Sequence, residues 1–207
     1  MIRKFGADTA LLVIDAQQGI NDLKHWGGPN GRRNNPGAEG YIQTLIDAFR
    51  AKGLTVIFTQ HDSRQAVSPL KLGTPGGEFL DGIGPRGDEL VIRKDVNSAF
   101  VGTTLELELR RRSINRLVSV GYFTNFCVET SVRMAGNMGF DSYLVPDACA
   151  TSNRIGFDGV DYDADVVHNV SVASMNGEFA TGLAVNDVLG LLEQDSHALM
   201  RNQGNEK

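Results

Sequence analysis

Two cysteines, Cys127 and Cys149, are all the thiol chemistry the chain carries. That is too little for the disulfide framework by which small secreted domains replace a core, so a reducing, cytoplasmic setting is expected. An excess of basic residues is missing too. The 20 Lys and Arg are outnumbered by 25 Asp and Glu, for a net charge of −5, which removes the electrostatic footprint of a nucleic-acid or anionic-membrane binder. No apolar run approaches the ~20 residues of a membrane helix. The run after the basic start is broken by Asp8 and Asp15 and shows no small-residue cleavage site, so no targeting segment is expected. Also absent are a Walker A loop, a Gly-x-Ser-x-Gly elbow and a His-Glu-x-x-His zinc helix.

What is present is an acidic chain of 207 residues, 41% hydrophobic and 22% charged, enough to bury a core as one domain over 1–207. Residues 196–207 read as a flexible tail. Five short apolar runs, Ala10–Asp15, Leu54–Gln60, Glu89–Lys94, Leu117–Tyr122 and Asp141–Pro146, have the near-continuous hydrophobic character of strands buried on both faces, as in a parallel sheet. Between and after them, apolar residues at helical spacing mark Tyr41–Lys52, Thr103–Arg112, Phe126–Met138, Ala164–Met175 and Val185–Glu193. The alternation is α/β, with a mostly parallel sheet of about six strands. Two long irregular stretches, 19–37 and 62–88, are expected to wall the binding site, because loops of that length in a compact domain are usually functional. In open α/β sheets ligands bind beyond the carboxyl ends of the strands.

Several motifs dissolve on inspection. Gly82-Ile-Gly-Pro-Arg-Gly87 spells the dinucleotide fingerprint, but it sits in a loop, contains Pro85 and precedes a strand rather than a helix. Asp161, Asp163 and Asp165 imitate a calcium loop, yet Val166 and Val172 occupy the positions of its glycine and bidentate glutamate. A cap for the next helix explains these aspartates better. His61 and Asp62, with His25, have the donor atoms of metal ligands, but they are too few for a stable site. No metal or other cofactor is expected. His168 and Cys149 read as packing residues.

Three reactive side chains close three separate strand-like runs: Asp15, Lys94 and Cys127. In a parallel sheet those ends share one edge, so an acid–base, a cation and a nucleophile could converge there. Cys127 opens a helical stretch, where unpaired N–H groups and the helix dipole favour a thiolate.

Leu11-Leu-Val-Ile-Asp15-Ala-Gln17, Lys94-Asp-Val-Asn-Ser-Ala-Phe100 and Val120-Gly-Tyr-Phe-Thr-Asn-Phe-Cys127, in this order and spacing, resemble the isochorismatase-like cysteine hydrolases, over about residues 9–192. The resemblance implies a three-layer α/β/α Rossmann-like fold and a catalytic triad of Asp15, Lys94 and Cys127. It further implies a cis peptide at Tyr122–Phe123 and an oxyanion hole from the backbone N–H groups of Phe123 and Cys127. A hydrolase acting on an amide, carbamoyl or ureide C–N bond of a small molecule through a thioester follows, with a homo-oligomeric assembly as in relatives. Lys94 is expected to lower the thiol's pKa. The cysteine argues against vinyl ether hydrolysis, which needs no thiol; that activity and a non-catalytic small-molecule-binding or thiol redox role are the alternatives. Metal-bearing nicotinamidases resemble the chain but carry Asp-x-His after the second strand, where this chain has Gln60-His61-Asp62. The 26–36 and 133–141 segments look nearest to streptothricin hydrolase-like members. Gln17, Trp26, His61, Asn97 and Phe100 are the candidate substrate-binding residues.

Overall fold

The computed structural model describes residues 2–193, so the tail expected over 196–207 lies outside the described residues. Six strands form one sheet: β1 (Thr9–Ile14), β2 (Thr55–His61), β3 (Leu90–Lys94), β4 (Arg116–Tyr122), β5 (Asp141–Ala150) and β8 (Thr181–Gly182). They are ordered β3-β2-β1-β4-β5-β8 with every pairing parallel. Two further strands, β6 (Arg154–Ile155) and β7 (Asp161–Tyr162), make a small antiparallel hairpin outside it.

Because side chains alternate across a strand, β1 feeds two cores at once. Leu11 and Val13 face α2 (Ala38–Ala51) and α6 (Val185–Glu193), in a cluster that includes Ile42, Leu45, Phe49 and Val188. Leu12 and Ile14 face α3 (Leu105–Arg111), α4 (Glu129–Asn137) and the end of α5 (Ala164–Met175), in a cluster that includes Leu105, Leu109, Val132 and Met175. Helices on both faces complete the expected α/β/α sandwich. No helix among the described residues is long and apolar enough to cross a membrane.

The chain runs outward from β1 through β2 to β3, then returns to β4 on the other side of β1. That reversal puts a crevice between the carboxyl ends of β1 and β4, the place where open α/β sheets bind ligands. The two strands also come close there. Gly121, opposite Ile14, has φ +125°, and a Cβ on it would lie 2.1 Å from the Ile14 carbonyl oxygen. Only glycine meets both demands.

Two expectations about regular structure change. The strand expected to end at Pro146 continues to Ala150. Pro146 has no N–H for the ladder, so the register slips: Ser119 pairs with Leu144, and Gly121 next pairs with Cys149. The bulged carbonyls are gathered by Asn35 Nδ2, which donates to Pro146, Asp147 and Cys149. The stretch over 19–37 is also less irregular than its composition suggests. It holds a 3-10 turn (Gln18–Asn21) and a short helix, α1 (Leu23–Gly27), and is laced to 151–153 by Arg33↔Ser152 bridging, by Asn34 with Thr151 and by Asn153 with Arg32 and Gly27.

Candidate active site

The side chains at the sheet's carboxyl edge are aimed by the strands that carry them. Asp15 follows β1 with φ +48°, a left-handed turn that aspartate tolerates better than most residues. Its N–H donates to Thr59 Oγ1 at 3.1 Å, and the same hydroxyl donates to Asp15 Oδ1 at 2.5 Å. One buried hydroxyl on β2 thus holds both the backbone and the carboxylate of Asp15. His61 and Lys94 end β2 and β3 in register, so their side chains leave the same face of the sheet. Lys94 Nζ donates to Asp15 Oδ2 at 2.6 Å and to the Val96 carbonyl at 3.1 Å, and lies 3.0 Å from His61 Nδ1.

Cys127 reaches the same place from β4. After the cis peptide Tyr122–Phe123, residues Thr124–Val128 form a π-helical turn ahead of α4. Such turns are frequent at functional sites. The turn is fastened by Thr124 Oγ1 against His168 Nδ1 at 2.8 Å and by Asn125 Oδ1, which accepts from Thr151 Oγ1 at 2.5 Å. Cys127 Sγ, the Asp15 carboxylate and a His61 ring nitrogen all lie within 4.8 Å of one another. The three residues expected to converge do so.

Above the sulfur opens a cavity of about 380 Å³ whose apolar side includes Ile20, Trp26, Leu70, Phe123 and Phe126, and whose polar side includes His61, Ser63, Ser68 and Asn97. Arg64 and Asp95, paired at 2.8 Å, stand at its exposed edge. Asp15 and Lys94 are almost wholly buried beneath.

The charge state of the sulfur departs from expectation. Burial, and then the neighbouring Asp15 carboxylate, push the Cys127 thiol far above the ordinary range, against the opposing pull of Lys94. Desolvation outweighs one nearby cation, so the resting sulfur carries its proton. The position that sequence linked to the dipole of a helix's first turn is in fact the π-helical turn that precedes α4. For Lys94, burial works to lower the pKa, but Asp15 and Cys127 offset it and the net direction is upward. His61 is held below the usual histidine range, by burial first and by Lys94 next.

Of the five expected substrate contacts, three reach the cavity: Trp26, His61 and Asn97, the last with Oδ1 3.7 Å from Cys127 Sγ. Trp26 spends its Nε1–H on the Gly19 carbonyl at 2.8 Å and packs against Phe123 at 4.8 Å between ring centroids with the planes tilted by 57°, so it offers the cavity a ring. Gln17 is elsewhere. Fully buried, its amide donates to the carbonyls of His61 and Gly77 and accepts from the His61 N–H, which leaves nothing for a ligand. Phe100 packs in the second core near Phe140. Thr59 was missed, because in the run Thr55–His61 it reads as one more β-branched strand former and its partner lies 44 residues away.

Among the described residues, one group of three could hold a metal ion by donor type: Asp15, His61 and Cys127. The Lys94 ammonium already stands between two of these donors, 2.6 Å from Asp15 and 3.0 Å from His61, so a cation is built into that place. Asp62 turns away to Lys71 Nζ at 3.0 Å and to the Leu72 N–H.

Comparison with known proteins agrees with this architecture. Residues 9–181 match the Isochorismatase domain model. The isochorismatase family protein YrdC of Bacillus subtilis (strain 168) is 38% identical over 180 residues, covering 87% of this chain and 94% of that protein. The ureidoacrylate amidohydrolase RutB of Agrobacterium fabrum is 26% identical over 225 residues, covering 91% of each. A crystal structure of an isochorismatase-family protein from Chromobacterium violaceum ATCC 12472 superimposes with a TM-score of 0.85 at 40% identity, covering 92% of this chain and 97% of that one. With the model spanning most of its length and relatives matched nearly end to end, the chain belongs to the isochorismatase family.

Proposed function

We propose that the protein hydrolyses a C–N bond of a small amide, carbamoyl or ureide compound, with Cys127 as covalent nucleophile. The observation that carries this reading is the meeting of Cys127, Asp15 and Lys94 at the floor of one half-apolar cavity. That a relative across nearly the whole chain is named an amidohydrolase supports the bond class.

Because the resting sulfur is protonated, the reaction begins with proton transfer. Asp15 takes the thiol proton as Sγ attacks the carbonyl carbon. The electron pair of the C=O bond moves onto oxygen, and that oxyanion is held by the backbone N–H groups of Phe123 and Cys127, residues that border the cavity. Asp15 returns the proton to the leaving nitrogen as the C–N bond breaks, releasing amine or ammonia and leaving an acyl thioester. Water then attacks with Asp15 again as base. The acid departs and the thiol is restored. Lys94 steadies the carboxylate through both half-reactions without giving up a proton, since Asp15 and Cys127 hold its pKa up against burial. The Trp26 ring and Asn97 contribute to holding the substrate.

Ammonia release over a panel of small amides, carbamoyl compounds and ureides tests the proposal. Cys127→Ala is expected to abolish turnover while leaving the urea unfolding midpoint within the range of an ordinary conservative change. The wild type quenched during turnover is expected to gain the acyl mass on Cys127. Full activity in Cys127→Ala overturns covalent catalysis.

A further inference from the structure

His61 faces Lys94 in a way that fixes which of its nitrogens carries the proton. Lys94 Nζ has donors only, so at 3.0 Å its partner Nδ1 must be the lone-pair nitrogen. The neutral ring, favoured by its buried place beside a cation, must then bear its hydrogen on Nε2. That nitrogen has no hydrogen-bond partner among the described residues, and the ring borders the cavity beside Cys127. A donor with no protein acceptor, its tautomer held by a buried ammonium at the other end of the ring, is free to bond a ligand.

We infer that His61 is a substrate-anchoring residue, locked by Lys94 in the Nε2–H tautomer and donating that hydrogen to an acceptor atom of the bound amide next to the scissile bond. The inference rests on the hydrolase reading and narrows it. The substrate class becomes small amides, carbamoyl compounds or ureides that carry an oxygen or unprotonated nitrogen acceptor within reach of His61 as well as the carbonyl under attack. Bulk on the far side is met by the apolar wall at Trp26 and Phe126.

Two measurements decide it. In ¹⁵N-labelled protein, with the His61 resonances assigned by their loss in His61→Asn, Nδ1 is expected unprotonated and Nε2 protonated at about pH 6.5, where an ordinary histidine is half charged. The charged groups whose fields reach the ring are Lys94, Asp15, Asp95 and, turned towards Lys71, Asp62, with the Cys127 thiol beside the ring. An Nδ1–H tautomer or an imidazolium at that pH overturns the inference. In steady-state kinetics on whichever panel compound the wild type turns over, the two variants should split. His61→Asn keeps an acceptor for Lys94 but lacks the donor, so KM is expected to rise about five- to tenfold, with kcat little changed. His61→Gln keeps a donor near the Nε2 position but not the acceptor, so KM should rise less and kcat should fall. Equal effects of the two variants on KM, or none, overturn the inference. A panel with no turnover at all counts against the hydrolase proposal, while the tautomer measurement still judges His61.

Discussion

Replacing Thr59 by valine keeps the shape of the side chain and removes one hydroxyl that makes two bonds. Its donated bond to Asp15 Oδ1, 2.5 Å, ends on a carboxylate, and hydrogen bonds to charged groups are worth about 1.5–3 kcal/mol. Its accepted bond is from the Asp15 N–H. With Thr59 and Asp15 both shut off from solvent, losing that acceptor orphans a buried donor, at about 1–3 kcal/mol. The two losses share one hydroxyl and are coupled, so a combined destabilisation of about 3–5 kcal/mol is expected. Because domains have about 5–15 kcal/mol in hand, Thr59→Val should still fold. With a urea slope of about 2–3 kcal/mol/M, its midpoint should drop by about 1–2 M. Activity should fall further than stability implies, by about 10²-fold in kcat, because the carboxylate loses its aim. Thr59→Ser, which keeps the hydroxyl, should recover most of both losses. A midpoint shift below about 0.3 M in Thr59→Val, equivalent to under about 1 kcal/mol, would refute the claim that this hydroxyl holds Asp15.

Gly121→Ala places a Cβ 2.1 Å from the Ile14 carbonyl oxygen at φ +125°. Loss of more than about 3 kcal/mol is expected, read as a lowered urea midpoint or failure to accumulate folded protein; near-wild-type stability would mean that β1 and β4 can part. On the acid side, His61 and His168 both titrate below the ordinary range, chiefly through burial. The unfolded chain therefore binds protons first, and the stability these residues confer is full above about pH 6.5 and lost as pH falls from there. On the alkaline side burial pushes Cys149 up to about 12. Its contribution is complete below the ordinary thiol range near 8.5 and is lost as pH climbs from there to about 12. Urea midpoints across pH should show both limbs, and Cys149→Ala should make the alkaline one shallower, with the buried Cys127 thiol sustaining the rest.

The strands, and the three reactive residues at their carboxyl ends, were legible because their signals are local; that the three belong together was implied by the resemblance. Leu11–Ile14 is apolar without interruption and Leu117–Val120 is broken only by Ser119, and Asp15, Lys94 and Cys127 each stand at or just past the end of a strand-like run. What escaped depends on partners distant in sequence. Nothing near Gln17 says that its amide is consumed by His61 and Gly77, and nothing near Phe100 says that Phe140 will cover it. The run over Asp141–Pro146 was read as a strand that stops at its proline. That the chain would bulge and resume pairing required Asn35, over a hundred residues earlier, to collect the stranded carbonyls. The protonation of Cys127 was misjudged for a related reason: sequence displays the nearby cation, whereas desolvation is a property of the finished fold.

The full engagement of the Lys94 ammonium bears on how the site responds to its medium. Its partners, Asp15, Val96, His61 and Cys127, are all within the protein and the side chain is shut off from water, so mobile ions cannot approach it closely. Added salt will act on the solvent-facing Arg64–Asp95 pair at the entrance and on the approach of charged molecules, while the field of Lys94 and Asp15 at the sulfur is screened far less.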